Sequence, residues 1–171
     1  MRPTNVSGFT LVETIVALLV LTILLGVAIP SLTELQRQYR TDAAMRQLQQ
    51  FIALARNQAI NYRTRVVVCR LENNSCLDSD WQAGISAFID NNDDRIRDSS
   101  EPLLQESGTF HREDGIFYNR KAIRFMQDGL ATGSNGTLSY CPDNLADNGQ
   151  ALIVNQAGRT RRSNAGINCP G

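Results

Sequence analysis

Reactive chemistry is scarce in this chain of 171 residues. Its one histidine, His111, stands beside Arg112, Glu113 and Asp114, with no second imidazole to share a metal ion or a proton. No serine lies in a nucleophile elbow, and there is no glycine-rich phosphate loop. The four cysteines lack a Cys-x-x-Cys spacing, so a zinc site, the alternative to disulfides, is poorly supplied with ligands. Net charge is missing as well: 17 Lys+Arg face 17 Asp+Glu, which by itself names no partner. Internal repeats and low-complexity linkers are absent. The chain reads as a non-enzyme that holds no cofactor.

What is present is an apolar run near the amino terminus. Residues 9–29 carry a single charge, Glu13, and about twenty residues at 1.5 Å rise span ~30 Å of hydrocarbon. A polar stretch ending in Gly8 precedes the run. A secretory signal peptide would instead place small residues after its apolar core, where Gly26 and Ala28 match only weakly. A cut after Gly8 would leave the apolar helix on the mature protein. An ionised carboxylate near the bilayer centre costs roughly 2.5–3.5 kcal/mol on insertion scales, so Glu13 needs a partner.

The run Gly8-Phe9-Thr10-Leu11-Val12-Glu13 resembles the prepilin processing motif of type IV pilins and type II secretion pseudopilins. The resemblance implies that a prepilin peptidase cuts after Gly8 and methylates the new amino group of Phe9. It implies an inner-membrane anchor with a periplasmic head. Assembly into a filament with other pilins follows, through the inner-membrane machinery. Glu13 would then pair with the amino terminus of a neighbouring subunit, resolving two charges that are each costly alone. An ordinary signal anchor with an incidental glutamate is the other reading.

Cys69, Cys76, Cys141 and Cys169 form an even set on the far side of the apolar run, which favours disulfides in an oxidising compartment. Of three connectivities, Cys69–Cys76 with Cys141–Cys169 is preferred: the first closes a short hairpin-like loop and the second ties down the tail.

Beyond Pro30, apolar residues recur at Leu32, Leu35 and Tyr39, then at Met45, Leu48, Ile52, Ala55, Ala59 and Tyr62, in steps of three and four within each run that mark one helix face. One helix of about fifty residues is expected from Phe9 to near Tyr62, half in membrane and half packed on a domain, with Pro30 favouring a kink. Strands are expected at 64–71, 81–89, 122–126, 136–141, 151–154 and 159–162, separated by Asn, Asp, Gly and Ser clusters. The fold class is α+β and type IV pilin-like, a long N-terminal helix laid on a β-rich head. Its expected parts are a leader (1–8), a membrane or filament-core helix (9–29), an amphipathic helix (30–62) and the head (63–171).

Trp81-x-x-Gly84, the acidic turn at Asp90, Asp93 and Asp94, and the Glu101-Pro102 pair resemble the GspH/FimT-like branch of pseudopilins and minor pilins. Within that turn, Asp90, Asn92, Asp94 and Glu101 occupy the first, third, fifth and twelfth positions of a calcium-binding loop. Arg95 stands where such a loop turns on glycine, so the competing reading is a solvated turn whose acids pair with Arg95 and Arg97.

Three arginines fall within four residues at Arg159, Arg161 and Arg162. The guanidinium is a permanently charged planar fork suited to phosphate oxygens, and phosphate neutralisation drives non-specific nucleic-acid binding. Gly158-Arg159-Thr160-Arg161 resembles the Gly-Arg-x-Arg element of FimT-type minor pilins, which this chain resembles most and which are implicated in binding DNA during natural transformation (competence). The resemblance implies double-stranded DNA as a partner, held by Arg159 and Arg161, with Arg162 extending the patch by proximity. Arg120, Lys121 and Arg124 join it if the fold brings them near. The alternative is a structural or priming subunit of a pilus or type II secretion pseudopilus, its arginines merely protecting a sheet edge.

Overall fold

The computed structural model of the chain describes residues 8, 10–78, 81–146 and 148–169. Phe9, the expected site of methylation, and residues 1–7 of the expected leader lie outside them.

Helix α1 runs from Leu11 to Tyr62. Thr10 fixes its start: the Thr10 hydroxyl oxygen accepts the Glu13 backbone N–H at 3.3 Å, satisfying one of the donors that a helix start leaves without a partner. Glu13 therefore sits in the first turn, where a carboxylate also favours the positive end of the helix dipole. The helix continues through Pro30. The chain divides into two compact units at Arg37 and Gln38. In the first, the helical residues 11–33 are all exposed, so their apolar side chains are left for lipid or other chains to cover.

In the second unit the helix has a buried stripe: Thr41, Ala44, Met45, Leu48, Phe51, Ile52, Ala55 and Ala59. The helix ends where Arg63 takes φ 50°, the left-handed conformation that closes helices, and Thr64 donates to the Ala59 carbonyl at 3.1 Å. The strands are β1 (Val66–Glu72), β2 (Ser75–Leu77), β3 (Ser86–Ile89), β4 (Leu103–Glu106), β5 (Gly115–Tyr118), β6 (Ile123–Phe125), β7 (Gly136–Cys141), β8 (Gln150–Val154) and β9 (Thr160–Ser163). One antiparallel sheet is ordered β2-β1-β3-β4 with β6 also paired to β1, and the other β5-β7-β8-β9. Val66, Val68, Ala87, Ile123 and Phe125 from the first sheet and Ile116, Leu138, Tyr140, Leu152 and Val154 from the second meet the helix stripe in one core. Trp81 and Tyr118 pack against each other within it, ring centres 5.2 Å apart and planes tilted by 38°.

The expected strand at 81–89 is shorter in the structure. Trp81–Ala83 forms a 3-10 turn, and Gly84 at φ 112° breaks the run so that pairing starts at Ser86. Strands β2, β4 and β5 were not expected; at three or four residues each they are too short to show a period of two.

Two further ties fix the second sheet. Asp114, fully buried, accepts from the Tyr140 hydroxyl, from the Asp143 N–H (3.0 Å) and from Arg40 of α1 (3.0 Å). Burial, reinforced by the Asp114 carboxylate, raises the Tyr140 hydroxyl above its ordinary pKa. On the opposite face, the disulfide Cys141–Cys169 holds the C-terminal tail, whose Asn168 N–H donates to Ser139 at 2.9 Å. The disulfide Cys69–Cys76 bridges the hairpin whose turn is Asn73–Asn74, both with positive φ. Replacing Cys141 and Cys169 by serine opens a loop with sequence separation 28 and is expected to lower the unfolding free energy by about 3.5 kcal/mol, measured by urea titration.

Candidate nucleic-acid interface

The β8–β9 hairpin positions the arginines. Its turn closes with the Gly158 N–H on the Asn155 carbonyl (2.9 Å), and the Asn155 side chain accepts the Arg159 N–H (3.0 Å). Gly158 has φ 71°, and a Cβ there would collide with the Gly129 carbonyl and press on Arg56, whose Nε already donates to that carbonyl at 2.9 Å. A side chain is excluded here twice, by conformation and by space.

Strand alternation then sorts the three arginines. Arg162 lies opposite Leu152 on the core side, and its guanidinium reaches α1, where it meets Asp42 at 3.4 Å and Gln49 at 3.3 Å. It does not extend the patch by proximity, as the sequence suggested, because adjacent strand residues face opposite ways. Arg161 lies opposite Ile153 on the outer face and is exposed, as is Arg159. Neither guanidinium has an ion pair or hydrogen-bond partner among the described residues.

Ile153 and Thr137, successive partners across the sheet from Arg161, line an open groove of about 670 Å³ that runs to Asn119 and Arg120. Arg120 is exposed and donates through Nε to the Asn135 carbonyl at 2.6 Å. Lys121 is exposed beside it, whereas Arg124 is half-buried and pairs with Asp93 at 2.7 Å. The groove thus connects the hairpin to Arg120, while Arg124 is partly neutralised.

The calcium-like loop is built differently from either expectation. Asp90 and Glu101 are buried rather than solvated. Asp90 accepts the N–H groups of Asp93 (2.6 Å) and Arg95 (3.1 Å); Glu101 accepts those of Asn91 (2.7 Å) and Asp98 (3.0 Å). Asp94 accepts from Ile96 at 2.7 Å, and Asn92 from Asp94 at 3.3 Å. Burial pushes the Asp90 carboxyl above the ordinary range, and its two N–H donors hold it back. Asp90, Asp94 and Glu101 therefore serve the loop's own backbone rather than Arg95 and Arg97; Arg97 donates instead to the Glu101 carbonyl at 3.1 Å. Among the described residues no three potential metal-binding side chains of the His, Cys, Asp or Glu type gather. His111 is exposed, 3.8 Å from Asp114. Sequence reasoning missed Arg95, whose positive φ of 63° and place beside Lys121 have no periodic signal.

Comparison with known proteins bears on this geometry. The family described as type II transport protein GspH matches residues 44–158, and the prokaryotic N-terminal methylation motif matches residues 3–29. No curated protein matched significantly. Two crystal forms of the type IV minor pilin FimU of Pseudomonas aeruginosa share the fold at 20% identity. One has a TM-score of 0.56 over 71% of this chain and 91% of that one. The other has a TM-score of 0.58 over 72% and 87%.

Gly158→Ala is expected to lower stability by about 2 kcal/mol through its backbone conformation and the Gly129 collision, whereas Arg161→Gln should change it by less than about 0.5 kcal/mol. Thermal unfolding of the two variants measures both.

Proposed function

The chain belongs to the GspH family of type II transport proteins, and from that premise we propose that it is a minor pilin whose head binds double-stranded DNA without sequence preference, supporting DNA uptake in natural transformation. Proteins of this family and fold are filament subunits, not enzymes. The apolar N-terminal helix and methylation motif anchor such a subunit in the inner membrane until it is assembled.

The observation that carries the DNA reading is a pair of guanidinium groups without partners among the described residues, Arg159 and Arg161, on a hairpin whose third arginine is turned inward. A closed turn and a disulfide-tethered tail order this segment beforehand, which lowers the entropy lost on binding. Neither β8 nor β9 offers an aromatic ring for base stacking, so the contact is with phosphates. Arg120 continues the surface along the groove, with Lys121 exposed next to it in sequence.

In a gel shift with the full chain in uncharged detergent, duplex DNA is expected to be retarded, with affinity falling steeply as salt rises. Arg159→Gln with Arg161→Gln should abolish most of the shift and reduce the slope of log K against log salt by about 1.8, two contacts at about 0.9 each. An unshifted band at low salt with folded wild-type protein would instead favour a structural or priming subunit.

The leader and assembly roles rest on the same premise: cleavage after Gly8, methylation of Phe9, and pairing of Glu13 with a neighbouring amino terminus. Glu13→Ala should insert into the membrane normally yet be depleted from sheared filaments, scored by immunoblot. Equal recovery of variant and wild type in filaments would remove the assembly role.

A further inference from the structure

We propose that the head carries a second anion site, separate from the β8–β9 hairpin, that seats a compact phosphate group: inorganic phosphate or a phosphomonoester end. Arg95, Arg120, Lys121 and Arg124 line one hollow of about 300 Å³, together with Asn119 and Ser134. Neither Arg159 nor Arg161 belongs to it.

The charge in the hollow is unbalanced. Asp93 is the carboxylate in contact, and it serves both Arg124 (2.7 Å) and Arg65 (3.8 Å). The side chains of Arg95 and Lys121 have no ion pair or hydrogen bond among the described residues. Gathering like charges is unfavourable, so the fold must impose the arrangement.

It does so through the backbone. Arg95 is held in the left-handed region at φ 63°, a conformation unfavourable for a non-glycine residue. Its N–H is bound by buried Asp90 (3.1 Å), and its carbonyl accepts from Cys76 (3.1 Å). Cys76 is bonded to Cys69, and Ala122, next to Lys121, packs in the same small cluster as that disulfide. One covalent link therefore pins both rims of the hollow.

Neutral donors are placed there too. Asn119 accepts the Thr137 N–H through Oδ1 at 3.0 Å, which leaves its amide N–H groups for a ligand. Arg120 keeps its terminal N–H groups, since the bond to Asn135 uses Nε. A ligand with three acceptor oxygens and up to two charges matches converging cations better than a phosphodiester with one charge does.

The test is calorimetric titration of the full chain in uncharged detergent at low salt with inorganic phosphate. Millimolar binding is expected, weakened about tenfold by Arg95→Gln and by Lys121→Gln, each of which keeps its backbone bonds. Arg159→Gln with Arg161→Gln should leave it unchanged. Competition by a short duplex bearing a 5′-phosphate, and not by the same duplex without one, assigns the site to a phosphomonoester end; no competition by either assigns it to free phosphate. Absence of phosphate binding by folded wild type overturns the proposal, as does binding that survives both single substitutions. Loss of phosphate binding only on replacing Arg159 and Arg161 overturns it too, and leaves the DNA reading intact.

Discussion

The structure depends on one stripe of α1. Met45, Leu48, Ile52, Ala55 and Ala59 are wholly inaccessible because both sheets bury their inner rows against them. At about 25 cal/mol per Å² of apolar area, this shared burial is the large favourable term for two sheets of this size. The stripe fixes which side of each strand faces inward, and so decides what the second sheet presents outward. Leu152 and Val154 must face the helix, which turns their partners Arg162 and Thr160 the same way and leaves Arg161 outside. A slip of one residue would bury Arg161 and expose Arg162. The hydrophobic core thus selects which arginine of the hairpin faces solvent.

The residues that carry the family likeness are of two physical kinds. Trp81 fills the core, Gly84 permits a close approach to the Gly108 carbonyl, Asp90 and Glu101 bind loop N–H groups, and Gly158 fits against Gly129. Each satisfies a local requirement of the fold and would be needed whatever the subunit did. Arg159 and Arg161 satisfy none that is visible: both are exposed, and neither guanidinium has an ion pair or hydrogen bond among the described residues. In a chain whose other signature residues are accounted for by packing and hydrogen bonding, these two are the ones that the fold does not explain.

Much of this was legible beforehand, and for identifiable reasons. The helix was visible because its apolar residues keep one spacing from Met45 to Ala59, and β1 because three valines in succession favour a strand over any turn. The short strands were not, since three residues cannot display alternation and β4 and β5 owe their existence to partners distant in sequence. The acidic loop misled because ligand spacing for a cation and acceptor spacing for backbone N–H groups look alike in sequence. Only burial separates them, and burial is a property of the folded chain. The inward turn of Arg162 was available from alternation alone once β9 is taken as a strand over the core. What no pattern announced is the convergence of Arg95 with Lys121, which a disulfide and a left-handed backbone bring about.

A formal charge of zero is misleading for a protein of this construction. Its acids and bases are not distributed alike. Asp90, Glu101 and Asp114 are buried as acceptors for backbone N–H groups, a tyrosine and Arg40, and Asp42 is occupied by Gln150 and Arg162. Arg95, Lys121, Arg159 and Arg161 have no such partners among the described residues. An approaching phosphate responds to charges within about one Debye length, ~10 Å at 0.1 M salt, and so meets the local excess of cations rather than the sum over the chain. Carboxylates enclosed to hold loops and a sheet in place are what leave these cations unopposed. The requirements of folding and the local excess of positive charge arise from the same placement of acids.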